Sequence, residues 1–374
     1  MHVKRLLTIV GARPQFIKAA AISRALTSGY GRRVEEKLLH TGQHHDAMLS
    51  SVFFDELEMR QPDYRLTPST DRPIQRLGEM MCGIERVLRE EPFDAVLVYG
   101  DTDSTLAGVL AASKTGVPII HVEAGLRSFD ATQPEEQNRI IADRLSQVLV
   151  CPTDDAVRNL QREHVSGRIV RTGDIMYDNS LYYLPVAERR KGEWWQGLQL
   201  RQNGYILATV HRACNVDTPC HLQAILTALL RLAERMPVVV PLHPRTRKAM
   251  DGLSDSALVQ KIIASPNIRL LPPASYLEML LLIRRSSVVL TDSGGVQKEA
   301  FSLHSPSVVL RDATEWVDNV RCGVSKLAGA EPDRIVDCTM QFLANKPNDE
   351  TYPPIYGDGH AAEELLRALW ERTS

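Results

Sequence analysis

Short β-branched runs, most of them closing on Gly, Asp, Glu or His, recur along the chain and alternate with helix-like stretches. They are Leu6–Gly11, Ala95–Asp101, Ile119–Glu123, Gln147–Val150, Tyr205–His211, Val238–His243, Val288–Asp292 and Ser307–Leu310. The runs are continuously apolar rather than alternating, so each strand is buried on both faces. That demands α/β architecture with parallel sheets covered by helices, and excludes sandwiches. At roughly 150 residues per domain, 374 residues predict two such domains. The stretch Tyr182–Gly204 breaks the strand rhythm with charge, Trp and Gly, and a second αβ series begins at Tyr205. The junction is placed near Gly173, giving a first domain of residues 1–172 plus about 360–374 and a second of 173–359. The closing segment, GDGH (357–360) and an amphipathic helix to Trp370, is expected to pack back across the first domain.

Composition narrows the partners. Forty-four Lys plus Arg against 46 Asp plus Glu leave a formal charge of −2, too balanced for nucleic-acid tracking or a polybasic hold on a membrane. Any anion must therefore be met locally. The apolar run Leu6–Val10 is too short for a signal-peptide core or a membrane span, so the cytoplasm is the expected location. Six cysteines without a Cys-x-x-Cys pair support neither a zinc ribbon nor a disulfide framework, and read as reduced, mostly buried thiols.

The chemistry-bearing residues sit at strand ends. After Leu6–Val10 comes Gly11-Ala12-Arg13-Pro14 and a helix, with Pro14 suited to its first turn. One glycine where a dinucleotide fingerprint needs three argues against a nicotinamide enzyme. Arg13 reads as an anion contact at a helix start, or as a surface charge. Ser293-Gly294-Gly295 follows Val288–Asp292 and opens a helix, so bare N–H groups can approach a diphosphate; Glu299, one turn on, suits ribose hydroxyls. The plainer alternative there is a Ser N-cap, two turn glycines and a surface Glu.

In the first half Asp101, Glu123 and Glu135 follow strand ends, where ligands of open parallel sheets bind. Asp101 also suits a helix cap near Ser104, and Glu135 with Glu136 suits a helix dipole. Glu123, with apolar residues upstream and Ala-Gly after it, needs a partner or a function. In the second half His211-Arg212 and His243-Pro244-Arg245 suit phosphate contact and proton delivery, with core histidines as the alternative. No cluster has metal-ligand spacing.

Together GARPQFIKA (11–19), TGQHHD (41–46), GDTDSTLAG (100–108), HVEAGLRSFD (121–130), PEEQNR (134–139), GDIMYD (173–178), HRACN (211–215), PLHPRT (241–246), DSGGVQKEA (292–300), RDATEW (311–316) and YGDGHA (356–361) resemble the non-hydrolysing UDP-N-acetylglucosamine 2-epimerase family, in order and over the whole chain. The resemblance implies a GT-B-like fold, two Rossmann-like domains with a nucleotide-sugar cleft between them, and a homodimer. No redox cofactor or metal is implied. By motif, the catalytic positions fall on Asp101, Glu123, Glu135 and His211; the UDP positions fall on Arg13, Ser293, Gly294, Gly295 and Glu299, with Lys18 and His243 as further contacts. The implied activity, in making cell-surface polysaccharide precursors, is inversion of C2 in a UDP-2-acetamido sugar by loss of UDP to a 2-acetamidoglycal and re-addition.

Departures from the pattern bear on substrate and regulation. Cys214 stands where relatives carry Glu, and Val317-Asp318 where Pro-Glu is usual. Several bacterial relatives are activated by a second UDP-sugar near the block that holds Gln43 and His44; those two match, whereas Asp46 and Cys214 do not, and hyperbolic kinetics are expected. The opening GARPQFIK leans toward relatives acting on UDP-2,3-diacetamido-2,3-dideoxy-glucuronate. The competing readings are a hydrolysing 2-epimerase, a GT-B glycosyltransferase and a nucleotide-sugar sensor without turnover.

Overall fold

The computed structural model describes residues 4–30, 34–43 and 56–370. His44 and Asp46 lie outside them. The chain forms two compact units, Met1–Asn179 with Pro354–Ser374, and Ser180–Pro353.

The first unit is built on a seven-stranded sheet of β1 (Lys4–Val10), β2 (Val34–His40), β3 (Tyr64–Arg65), β4 (Ala95–Tyr99), β5 (Ile119–Val122), β6 (Val148–Cys151) and β7 (Arg168–Arg171), in the order β3-β2-β1-β4-β5-β6-β7. The second holds six strands, β8 (Ile206–Thr209), β9 (Val238–Pro241), β10 (Ile268–Leu271), β11 (Val288–Thr291), β12 (Ser307–Val309) and β13 (Ser325–Leu327), in the order β10-β9-β8-β11-β12-β13. Every pairing is parallel. Each order reverses once, at β1/β4 and at β8/β11, which opens a crevice beyond the carboxyl ends of those strands.

Each apolar run coincides with a strand, although β1 starts two residues earlier and β6 runs one residue further, and most strands stop short of the polar residue that closes the run, because that residue belongs to the turn. Five strands escape the sequence pattern. β3, β7, β10 and β13 are sheet edges, short and partly polar, as edges tend to be. β2 reads as charged, yet Glu36 on it is taken inside by the hydroxyls of Thr8 (2.6 Å) and Ser23 (2.8 Å).

Side-chain alternation splits the first sheet between two cores. Leu6, Val10, Leu97 and Tyr99 face the helix Arg13–Ala25, while Leu7, Ile9, Val96 and Val98 face the helices Pro73–Glu90 and Asp103–Thr115. The helix Ala361–Trp370 joins the former core through Ala361, Ala362, Leu365 and Leu366. Residues 175–197, most of the stretch that interrupts the strand rhythm, are one helix with Pro185 inside it. The six cysteines are free, but the expectation that most are buried is wrong. Only Cys151 is buried, whereas Cys82, Cys214 and Cys220 are exposed, on the outer side of a helix or at helix starts. Among the described residues, no helix is long and apolar enough to cross a membrane.

Asp178 ties the C-terminal helix to its unit by accepting from the backbone N–H groups of Ala361 (3.1 Å) and Ala362 (2.8 Å). Burial pushes its carboxyl up to about 6, against the opposing pull of those two bonds. A carboxyl whose folded pKa lies above its unfolded one favours folding while protonated, so its contribution fades as pH rises from about 4 through about 6. Urea unfolding at pH 4 and 6.5 should therefore show Asp178→Asn losing less stability across the window than the wild type, by about 1–3 kcal/mol. Parallel pH profiles would contradict this.

Candidate active site

At the first reversal, the turns after β1 and β4 interlock. The turn after β1 brings Gly11 against Ser104 and Thr41, whose hydroxyls bond at 2.7 Å, and a Cβ on Gly11 would overlap both. Gln15 is the clamp. Its carbonyl oxygen accepts from Gly11 N (2.8 Å) and Ala12 N (3.1 Å), and its amide donates to the Tyr99 carbonyl (2.9 Å) and Thr105 Oγ1 (3.0 Å). Arg13 stands exposed at the first position of the helix Arg13–Ala25, with Pro14 after it in the first turn. Gln43 reaches the same place, accepting from Ser104 N (3.0 Å) and Oγ (2.6 Å).

Glu123 leaves β5 at φ +71°, a left-handed conformation rare for a side chain of this size. Its own N–H and that of Ala124 both donate to the Val150 carbonyl at 3.0 Å. Its carboxylate is ion-paired with Lys18, and the two side chains are 11% and 9% exposed. Gly100, at φ +62°, packs against both charged ends. Glu123 and Lys18 also line a small cavity with Pro152 and Asp174.

Asp101 follows Gly100 but does not cap the next helix; Thr102 does. The Asp101 carboxylate pairs with Arg139, and its carbonyl accepts from Asn138 (2.9 Å). Arg139 also pairs with buried Glu136, which accepts from Ser128 N (3.0 Å) and Phe129 N (3.1 Å) and so shapes the loop between Glu123 and the helix Pro134–Leu145. Glu135, in the first turn of that helix, is exposed and makes no side-chain bond among the described residues.

The second reversal repeats the pattern with Asp292 at its centre. This fully buried carboxylate accepts from the backbone N–H groups of His211 (3.1 Å) and Arg212 (3.0 Å) and from Asn215 Nδ2 (3.1 Å). His211 Nδ1 lies 3.4 Å from it. The His211 and His243 rings are 5.5 Å apart. His243 caps the helix Pro244–Asp251 by accepting at Nδ1 from Arg245 N (3.2 Å), so its Nε2 carries the proton.

Ser293 caps the helix Gly294–Ser302, whose first two N–H groups belong to Gly294 and Gly295. A Cβ on Gly294 would crowd the Glu315 carboxylate, which is held by Arg311 at 2.9 Å. Glu299 is 6% exposed, so it is not the surface carboxylate of the plainer reading. Sequence reasoning passed over Gln15 and Asp292. Asp292 was in view, since an Asp ending a buried strand before a Gly-rich helix start has backbone N–H groups to hold.

In each Rossmann-like sheet most of the candidate residues lie at the carboxyl ends of strands at or beside the reversal, whereas Glu135 stands exposed and apart; two such sheets make a GT-B-like fold. The family model described as UDP-N-acetylglucosamine 2-epimerase matches residues 30–370, and the chain belongs to that family. It is 45% identical over 369 residues to the UDP-2,3-diacetamido-2,3-dideoxy-D-glucuronate 2-epimerase of Pseudomonas aeruginosa, covering 98% of this chain and 99% of that protein. It is 42% identical to a UDP-N-acetylglucosamine 2-epimerase homolog of Methanococcus maripaludis, with 98% and 99% covered. The crystal structure of the Methanocaldococcus jannaschii UDP-GlcNAc 2-epimerase with UDP-GlcNAc and UDP superposes with a TM-score of 0.87 at 34% identity, over 99% of both chains.

Burying Glu123 is tolerable only with its cation beside it. Lys18→Met leaves an uncompensated buried carboxylate and should cost about 3 kcal/mol in urea unfolding, whereas adding Glu123→Gln should return most of it. Additive losses in the double variant would show that the pair is not coupled.

Proposed function

We propose that this protein inverts C2 of a UDP-2-acetamido sugar by eliminating UDP to a 2-acetamidoglycal and adding it back with the proton on the opposite face. The observation that carries the reading is the Glu123 carboxylate, buried, ion-paired with Lys18 and held at positive φ beside the Asp101 turn. The C2 proton of such a sugar is not α to a carbonyl. Cleavage of C1–O must supply the oxocarbenium character that acidifies it, and protonation from two faces requires two acid/base groups. We assign those two roles to groups among Glu123, Asp101 and Glu135.

In the second unit His211, backed by Asp292, is assigned to the departing phosphate as a proton donor. Ser293, Gly294 and Gly295, with Arg13 and His243, are assigned to the diphosphate, where N–H donors and cations stabilise leaving-group charge. Glu299 is assigned to the ribose hydroxyls. Pairing with Glu123 supports giving Lys18 to that carboxylate rather than to the diphosphate.

The opening GARPQFIK and the 45% identity to the Pseudomonas aeruginosa enzyme favour the diacetamido uronate as substrate, with UDP-GlcNAc as the comparison. A homodimer, and a place in cell-surface polysaccharide precursor synthesis, belong to the same reading.

Incubation with each UDP-sugar alone, without any acceptor, should give the C2-epimeric UDP-sugar by chromatography. Release of free sugar with UDP would indicate a hydrolysing enzyme, and UDP binding without turnover a sensor. Initial rates should rise hyperbolically with substrate; a Hill coefficient clearly above 1 would restore the second-sugar activation that Asp46 and Cys214 argue against. Glu123→Gln should lower kcat by at least about 100-fold with UDP affinity kept within about threefold. Glu299→Ala should weaken UDP by about tenfold in calorimetry, the loss expected for a charged hydrogen-bond acceptor. The reverse pattern in the two variants would sink the assignment.

A further inference from the structure

His121 lies on β5, wholly buried, two residues before Glu123. Both of its ring nitrogens are engaged. Nε2 is 2.7 Å from the Gly100 carbonyl oxygen, and Nδ1 is 2.8 Å from Oδ1 of Asp143. A carbonyl can only accept, so Nε2 carries a proton. Asp143 also accepts from Arg127 Nη1 (2.7 Å) and from Gly125 N (3.2 Å). Burial would raise its carboxyl, but His121 and Arg127 outweigh that and hold it below the ordinary carboxylate range, so it is an anion. Nδ1 thus meets a carboxylate that Arg127 and the Gly125 N–H also hold. Arg127 completes the group by donating from Nε and Nη2 to Glu163, both at 2.7 Å.

The two ends of this group touch the two turns that matter. Gly100 immediately precedes Asp101, and at φ +62° the direction of its carbonyl sets how the next peptide turns. Gly125, at φ +80°, is packed so closely on the Ala156 carbonyl that no Cβ fits, and its N–H on Asp143 anchors the turn that begins at Glu123.

We propose that His121 is a positioning residue, a ring wedged between Asp143 and the Gly100 carbonyl that fixes the Asp101 turn relative to the Glu123 turn. This rests on the epimerase reading of those two carboxylates. Acid/base groups that serve opposite faces of one carbon tolerate little drift, and a misplacement of about 1 Å costs on the order of 100-fold in rate.

Two amides divide the role of the ring. Gln at position 121 keeps a donor where Nε2 stood, toward Gly100; Asn keeps one where Nδ1 stood, toward Asp143. His121→Asn should lower kcat by about 30- to 100-fold and His121→Gln by less than about tenfold, with KM and UDP affinity within about threefold in both. A purely structural role would instead make activity follow the unfolding midpoint, without that order. Folded His121→Asn with near wild-type kcat would overturn the proposal. Should neither variant fold, the ¹⁵N–¹H spectrum of the wild-type ring decides: an Nε2–H coupled across a hydrogen bond to the Gly100 carbonyl supports it, and an Nε2 without a proton overturns it. Wild-type turnover tests the epimerase reading separately, because an inactive wild type sinks that reading while an active one with an undiminished Asn variant sinks only the role of His121.

Discussion

A parallel sheet whose strand order reverses sends neighbouring connections to opposite faces, and what lies beyond the carboxyl ends at that point is left uncovered. Both units are governed by this constraint. In the first, the turns after β1 and β4 meet so tightly that Gly11 has no room for a side chain, and Gln15 fastens them together. In the second, Asp292 does the equivalent for the turn of His211 and Arg212. The strands beneath are apolar on both faces. Nearly all of the polar chemistry is therefore pushed to their ends.

These ends hold more buried charge than stability alone would favour. Desolvating an ion pair costs several kcal/mol, and apolar replacements of similar shape are often as stable. Yet Lys18 with Glu123, Arg139 with Asp101 and Glu136, and Asp143 with His121 and Arg127 all cluster around two adjacent turns of one sheet. Glu123 adds a left-handed backbone, which costs of order 1 kcal/mol for such a residue. The expenditure fits geometry rather than stability: each carboxylate is fixed in place by its partner.

Much of this was legible in the amino-acid order, and the remainder was hidden for identifiable reasons. Buried strands announce themselves by continuous apolar runs, and their closing residues mark the turns, so Asp101, Glu123, His211 and the Ser293 helix start could be placed from sequence. Edge strands such as β7 and β13 are too short and polar to announce themselves. Asp143 sits in the last turn of the helix Pro134–Leu145, next to Arg144, and nothing local distinguishes it from a solvated residue; only folding brings His121, 22 positions away, to its carboxylate. Exposure of Cys82 was equally hidden, because which side of a helix faces water depends on what packs against it.

In the proposed reaction C2–H is broken at an enzyme carboxylate that exchanges with water. Proton NMR of the product formed in deuterated water tests it most directly, using the diacetamido uronate and, separately, UDP-GlcNAc. Deuterium is expected at C2 of the epimerised sugar. Epimer formed with its C2 proton fully retained from substrate would contradict it.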